Sequence, residues 1–405
     1  MNRALPLRTR SRALAAVVIA GLALAGCSSS PPNSAAPGAA GADGCITNFD
    51  PAKDYFPDKS SVVDAKNFSL TYEKSYQVLR VNEPFPKGAP ESYVLVKCGA
   101  PQPQLSGDLA NAPKIQVPIK SLYSASTTHL PLLTELGQLD VLKGVANKSY
   151  VTSPEVNARI ASGQITEYAA GGTVNSEKVL SAKPDVLMTQ GNDDPAYPAL
   201  RSAGIAVVAN AEYLEPTALG RAEWLKVMAA LNGTETKAAE IYNGVRTRYN
   251  DVAATAEKAT KISVLPGTMY QGVWSMPAGG TYVGKLIADA GGTYPWAQDP
   301  SHTSLQLGFE SVFSKAGTAP TWLVTSPWST TADALKDDPR YGQLSAVQSG
   351  QVWSATKVIG PGGGNDFYER GVTRPDLVLG DLVAILHPEL APGHEFAFYK
   401  LVPRP

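Results

Sequence analysis

Histidine, cysteine and methionine are scarce in this chain, at four, three and five among 405 residues. A zinc site needs several thiolate or imidazole ligands close together, and that supply is missing. The two histidines nearest each other, His387 and His394 in "HPELAPGH", bracket a helix end and tail, a plainer reading than a surface metal site. Catalytic strings are missing too. There is no Gly-x-Ser-x-Gly, no His-Glu-x-x-His and no Gly-x-x-x-x-Gly-Lys-Ser/Thr, which removes the commonest hydrolase, metalloprotease and nucleotide-phosphate chemistries. Nor is there a basic excess: 35 Lys and Arg face 36 Asp and Glu, and no basic stripe stands out, so a nucleic-acid partner is not expected. Beyond the N-terminal segment no apolar run is long enough to cross a bilayer.

What is present begins with an export signal. "MNRALPLRTRSR" carries Arg3, Arg8, Arg10 and Arg12, and "ALAAVVIAGLALAG" follows as a short apolar run. The signal, residues 1–26, ends in "LAGC", which resembles a bacterial lipobox; the resemblance implies cleavage before Cys27 and its acylation, giving a membrane anchor. Losing the four arginines takes the net charge from −1 to about −5. Residues 27–44, "CSSSPPNSAAPGAAGADG", read as a tether too poor in apolar groups to fold. Cys45 and Cys98 are then an even pair in an exported chain, so a disulfide is expected.

Residues 45–112 read as a β-rich extension: "NFSLTYEKSYQVLRV" alternates Phe68, Leu70 and Tyr72 with polar neighbours, and "ESYVLVKCG" is a further strand. From residue 113 strands alternate with helices, the pattern of a mostly parallel sheet, in a first lobe over 113–230 and a second over 261–405. Between them, 231–260 reads as one long helix with Ala238, Ile241, Val245, Tyr249 and Val252 on a stripe. "SEKVLSAKPDVLMTQ" in the first lobe echoes "FESVFSKAGTAPTWLVTS" in the second, and duplicated lobes often share a binding cleft. The fold class is therefore α/β: two lobes, a rigid interlobe helix and an N-terminal β extension.

Four segments, "SEKVLSAKPDVLM", "SAGIAVVANAEYLEPTALGRAEWLKVMAALNGTETKAAEIY", "WSMPAGGTYVGKLIADAGG" and "GNDFYERGVTRPDLVLGDLVAILHPEL", together resemble the solute-binding lipoproteins of ABC transporters. The likeness is to the iron-siderophore, haem and cobalamin group, on its ferric-dicitrate (FecB-like) branch, and to the class III periplasmic-binding-protein fold. It implies a monomeric receptor, with no intrinsic cofactor, that holds a ferric chelate or haem between barely moving lobes and passes it to a membrane permease. The resemblance implies two docking acids, one per lobe, at Asp194 (an Asp where Glu is usual) and Glu310.

Ligand contacts are expected on loops at the carboxyl ends of strands. The first is "SASTTH", with Ser126, Thr127, Thr128 and His129 as donors, although Ser126 or Thr127 also suits a helix N-cap. The second is "QGVWSMPAGG", with Trp274 and Met276 as a soft wall and Gly279 and Gly280 allowing close approach. Trp328 follows another strand, and "PGGGNDFYER" offers Asn365, Asp366 and Tyr368 on a flexible rim. Any loop tyrosine, Tyr150 and Tyr197 included, suits haem iron. The stretch "YLEPTALGRAEWLKVMAAL" reads as scaffold near the hinge, with Arg221 tying Glu215. An envelope-assembly lipoprotein that has kept the fold without transport is the other function considered, because the extension offers a face for a partner.

Overall fold

The computed structural model describes residues 44–405; Cys27, the signal and nearly all of the tether lie outside the described residues. The extension is a four-stranded sheet. β1 (Phe68–Tyr72), β2 (Tyr76–Val81) and β3 (Glu91–Lys97) form an antiparallel meander, and β4 (Lys114–Val117) adds parallel to β3. The segment "KIQVPIKSLY", expected as the first lobe's opening strand, is therefore divided: β4 belongs to the extension and β5 (Leu122–Ser124) opens the lobe. The expected disulfide is formed, joining Cys45 to Cys98 just past β3.

In the first lobe, β5, β6 (Leu142–Val145), β7 (Thr166–Glu167), β8 (Val186–Thr189) and β9 (Val207–Ala209) make an all-parallel sheet in the order β7-β6-β5-β8-β9. β5, β8 and β9 are buried at every residue, the signature of strands covered by helices on both faces. The second lobe repeats the plan. β10 (Ile262–Pro266), β13 (Gly292–Thr293), β15 (Thr321–Val324) and β16 (Val352–Ser354) run parallel, and β17 (Lys400–Leu401) closes the edge antiparallel. Beside them, β11 (Thr268–Tyr270), β12 (Val273–Pro277) and β14 (Ser304–Leu307) form an antiparallel trio.

The spine helix, Glu235–Glu257, is 23 residues, about 35 Å at the α-helical rise. Its buried face serves two cores in turn. Ala238 packs with the first lobe, while Tyr249 and Ala256 pack with the second. Tyr242 rather than Ile241 takes the second buried position, and its hydroxyl donates to Asp64 of the extension (2.5 Å).

The extension is not a separate domain. Phe68, Leu79, Tyr93 and Leu95 share one apolar core with Trp224, Leu225 and Met228 of the first lobe. Two buried carboxylates complete the junction. Residues 63–67 lie outside any strand, so their N–H groups need other acceptors. Glu223 accepts from Val63, Asp64 and Ala65 (2.7–3.1 Å) and pairs with Lys226 (2.6 Å). Glu215 accepts from Lys66, Asn67 and the Trp224 indole (2.8–3.0 Å). The stretch read as scaffold near the hinge is thus a clamp between extension and lobe. Arg221 does not tie Glu215 as expected; it pairs with Glu212 at 2.5 Å, and its guanidinium lies 4.0 Å over the Tyr282 ring of the second lobe.

Candidate ligand-binding cleft

Both parallel sheets direct the carboxyl ends of their strands at the same space. In the first lobe the chain steps outward in opposite directions from β5, to β6 and β7 on one side and to β8 and β9 on the other. The crevice beside such a reversal is where open α/β sheets bind ligands. A cavity of about 770 Å³ lies there. The loops after β5, β6, β7 and β8 supply one wall; Thr325 and Pro327 after β15 and residues 359–368 after β16 supply the other. A volume of this size suits a small organic molecule.

The wall is made of hydroxyls, amides and aromatic rings. Ser126, Asn147, Gln190, Asn192 and Asn365 line it together with Tyr150, Tyr168, Tyr197 and Tyr368. Tyr150 and Tyr368 are 49% and 41% exposed, at the mouth. Tyr168 is 1% exposed, stacked on Tyr123 with ring centres 5.3 Å apart, and its hydroxyl has no hydrogen-bond partner. Burial raises the pKa of Tyr168 and Tyr197, and the nearby Asp194 adds to both shifts. Each therefore stays a neutral phenol. A second recess of about 380 Å³ adjoins, sharing Ser126, Gln190 and Tyr368 with the first and reaching Arg221, Glu212 and Tyr282. Burial alone would lower the Arg221 pKa, but Glu212 beside it leaves a net increase, so the pair is a fixed, internally neutralised dipole.

Several expected contacts are placed here: Ser126, Thr127, Asn365 and Tyr368 line the main cavity, and Thr128 lines the recess. Ser126 is also the N-cap, accepting from the Thr128 amide at 3.2 Å. His129 is not available to a ligand. It is fully buried, and its Nδ1 lies 2.8 Å from the Ser124 hydroxyl. That hydroxyl donates to the Ser126 carbonyl (2.7 Å), so Nδ1–H must be the donor and Nε2 is left bare, without a partner.

Trp274 and Met276 are also corrected. They are not a loop wall but alternate inward positions of β12, both fully buried, with Trp274 stacked against Trp322. Gly279 and Gly280 do permit close approach, though of residues 297–300, not of a ligand: a Cβ there would lie 1.9 and 2.4 Å from the carbonyls of Ala297 and Pro300. Trp328 is buried against Trp322 and Tyr341, with its indole N–H on Asp337 (2.7 Å). Asp366 is buried, bonded to Thr152 (3.2 Å) and Arg370 (2.9 Å).

Asp366 instead belongs to a latch between the lobes. The neighbouring Glu369 accepts from the amides of Thr152 (2.8 Å) and Ser153 (2.9 Å), and Gly362 N–H donates to the Ser149 carbonyl (2.9 Å). Gly364 sits so close that a Cβ would fall 1.7 Å from the Tyr150 carbonyl oxygen. The Gly-rich loop is thus required for contact with the opposite lobe at the cavity rim. Of the two expected docking acids, Glu310 is exposed on the second lobe and pairs with Arg340 (3.2 Å), whereas Asp194 faces the cavity and its neighbour Asp193 is the exposed one.

His394 bonds to the buried Asp381 (2.7 Å), which also accepts from the amides of Ala397, Phe398 and Tyr399, and so pins the tail. Among the described residues no group of three or more His, Cys, Asp or Glu is placed to hold a metal, and no helix is long and apolar enough to cross a membrane. Sequence reading missed Tyr168, Asn147, Gln190 and Asn192. Each closely follows a strand, and that position was the available signal.

Comparison with known proteins agrees with this architecture. The sequence profile described as "Periplasmic binding protein" matches residues 120–358, more than half of the chain. An uncharacterized lipoprotein of Methanocaldococcus jannaschii is 27% identical over 296 residues, covering 70% of this chain and 69% of that one. A periplasmic binding protein from Veillonella parvula superposes with a TM-score of 0.55 at 13% identity, over 75% of this chain and 96% of that one. A possible iron-binding (periplasmic solute-binding) protein from Staphylococcus epidermidis gives 0.51 at 15% identity, over 66% and 99%.

Proposed function

The chain belongs to the periplasmic binding protein family, and from that premise we propose that it captures a ferric siderophore or related ferric chelate in the interlobe cleft and hands it to an ABC permease. Proteins of this family bind and deliver; they are not enzymes. In this reading the protein works outside the cytoplasm, held to the membrane by lipid on Cys27, with the exposed Glu310 as one docking contact for the permease.

The observation that carries the reading is the cavity: about 770 Å³, at the carboxyl ends of parallel strands from both lobes, lined by hydroxyls, amides and tyrosines. The lining favours a compact chelate with oxygen-rich edges, which hydroxyl and amide donors hydrogen-bond and aromatic rings pack against. The iron-group resemblance of the sequence points the same way, and the Staphylococcus epidermidis neighbour, itself described as a possible iron-binding protein, is consistent with it. Haem has one specific observation in its favour, the exposed Tyr150 at the mouth, since tyrosinate is an axial ligand to haem iron.

Titration of the purified protein with ferric siderophores, ferric citrate and haem, followed by intrinsic fluorescence and visible absorption, tests the reading. Saturable quenching by a ferric chelate is expected. A Soret shift abolished by Tyr150→Phe transfers the function to haem, and no response to any of them refutes ligand capture of this kind.

A further inference from the structure

The charge of the cleft narrows the ligand class. Among the described residues lining the main cavity there is no lysine, arginine or histidine, and the one carboxylate is Asp194. The cation of the adjoining recess, Arg221, is already neutralised by Glu212 at 2.5 Å, and Lys148 beside the mouth pairs with Glu167 at 3.9 Å. An anionic ligand would be desolvated in this cleft with no free positive partner and with a carboxylate on the wall, which is costly. The sign of the arrangement favours the opposite charge. Asp194 is half-buried, with Oδ1 held by the Ala196 amide (2.9 Å). Tyr168 and Tyr197 line the cavity with it, and the Tyr168 hydroxyl is a buried oxygen with no partner of its own. A carboxylate, a phenol oxygen in need of a partner and two aromatic rings are the groups that recognise an ammonium.

We propose that the cleft selects a ferric chelate of net positive charge, a tris-hydroxamate bearing a free ammonium, with that ammonium seated on Asp194 between Tyr168 and Tyr197. Three hydroxamates carry one negative charge each and cancel ferric iron, so a pendant ammonium leaves the complex at plus one; three catecholates carry two each and leave it at minus three. The assignment rests on the proposed capture of a ferric chelate and specifies its chemistry.

Calorimetric titration with three probes tests it: ferrioxamine B (plus one), its N-acetylated form (neutral) and ferric enterobactin (minus three). Ferrioxamine B is expected to bind about ten-fold or more tightly than the acetylated form, the usual scale of a charge-assisted contact, and ferric enterobactin weakest. Asp194→Asn keeps an acceptor for the Ala196 amide and is expected to unfold at the same temperature while erasing the difference between the first two. Tighter binding of ferric enterobactin than of ferrioxamine B overturns the charge assignment and leaves chelate capture standing. An undiminished ammonium preference in the Asp194→Asn variant overturns the role of Asp194. Binding of none of the three overturns this inference, and if ferric citrate is silent as well, chelate capture falls with it.

Discussion

Acidification acts on one buried group whose cost can be worked out. His129 is fully enclosed, and burial lowers its pKa from 6.5 to about 3. The hydrogen-bond pattern gives the reason: Nδ1–H is committed to Ser124, and a proton added at Nε2 would find no acceptor. In the unfolded chain the same ring titrates near its ordinary value. Protons therefore bind the unfolded state first as pH falls. The stability this residue supports is complete above about pH 6.5 and is lost progressively as pH drops towards 3, at up to about 1.4 kcal/mol per pH unit. By pH 4.5 the loss reaches roughly 2.5 kcal/mol, a substantial share of the roughly 5–15 kcal/mol typical of a domain. The measurement is urea unfolding between pH 7.5 and 4 for the protein and for His129→Gln. All other titrating groups are common to both proteins, so the difference between the two curves isolates this ring. A gap that narrows as pH falls is expected, since only the histidine protein pays the protonation penalty. Parallel curves would refute the assignment and place a proton acceptor near Nε2.

Two further predictions concern the joints of the molecule. Glu369→Ala leaves the half-buried amides of Thr152 and Ser153 without their acceptor and is expected to cost about 1–3 kcal/mol in chemical unfolding, with Glu369→Gln costing roughly half; an alanine variant within about 0.5 kcal/mol of the parent would mean that water replaces the latch. Replacing Cys45 and Cys98 by serine opens a cross-link spanning 53 residues and is expected to lower stability by about 4 kcal/mol on chain-entropy grounds, read as a shift in guanidinium midpoint that reductant reproduces in the parent and not in the variant.

The helix–strand rhythm is legible because each element carries its period locally. The spine stripe, the buried strand "VLMT" and the cysteine pair all announce themselves within a few residues. Pairings across the chain do not. Nothing near Glu223 indicates that its carboxylate meets amides some 160 residues earlier, and the alternation of Phe68, Leu70 and Tyr72 reveals a buried face without saying what covers it. The same limit misplaces more than half of the expected contacts. Trp274 and Met276 read as a loop because Gly and Pro surround them, yet their two-residue spacing is that of a strand facing a core. The glycines of residues 362–364 read as a flexible rim for ligand, yet Gly362 and Gly364 pack against Ser149 and Tyr150 of the other lobe. Ser126 and Asn365 line the cavity because they occupy strand-end loops, a position fixed by topology alone.

The disulfide has a mechanical consequence. Ile46 N–H bonds to the Cys98 carbonyl, and Cys98 N–H bonds to that of Val117, a few residues before the amino-terminal edge of β5. Residue 44 thus enters the fold at the foot of the first lobe, across the sheet from the cleft. The cross-link offers a pull applied there a short route into β3 and β4. A membrane leash attached at that foot would leave the mouth facing away from its anchor, free to turn towards a permease without being pried open.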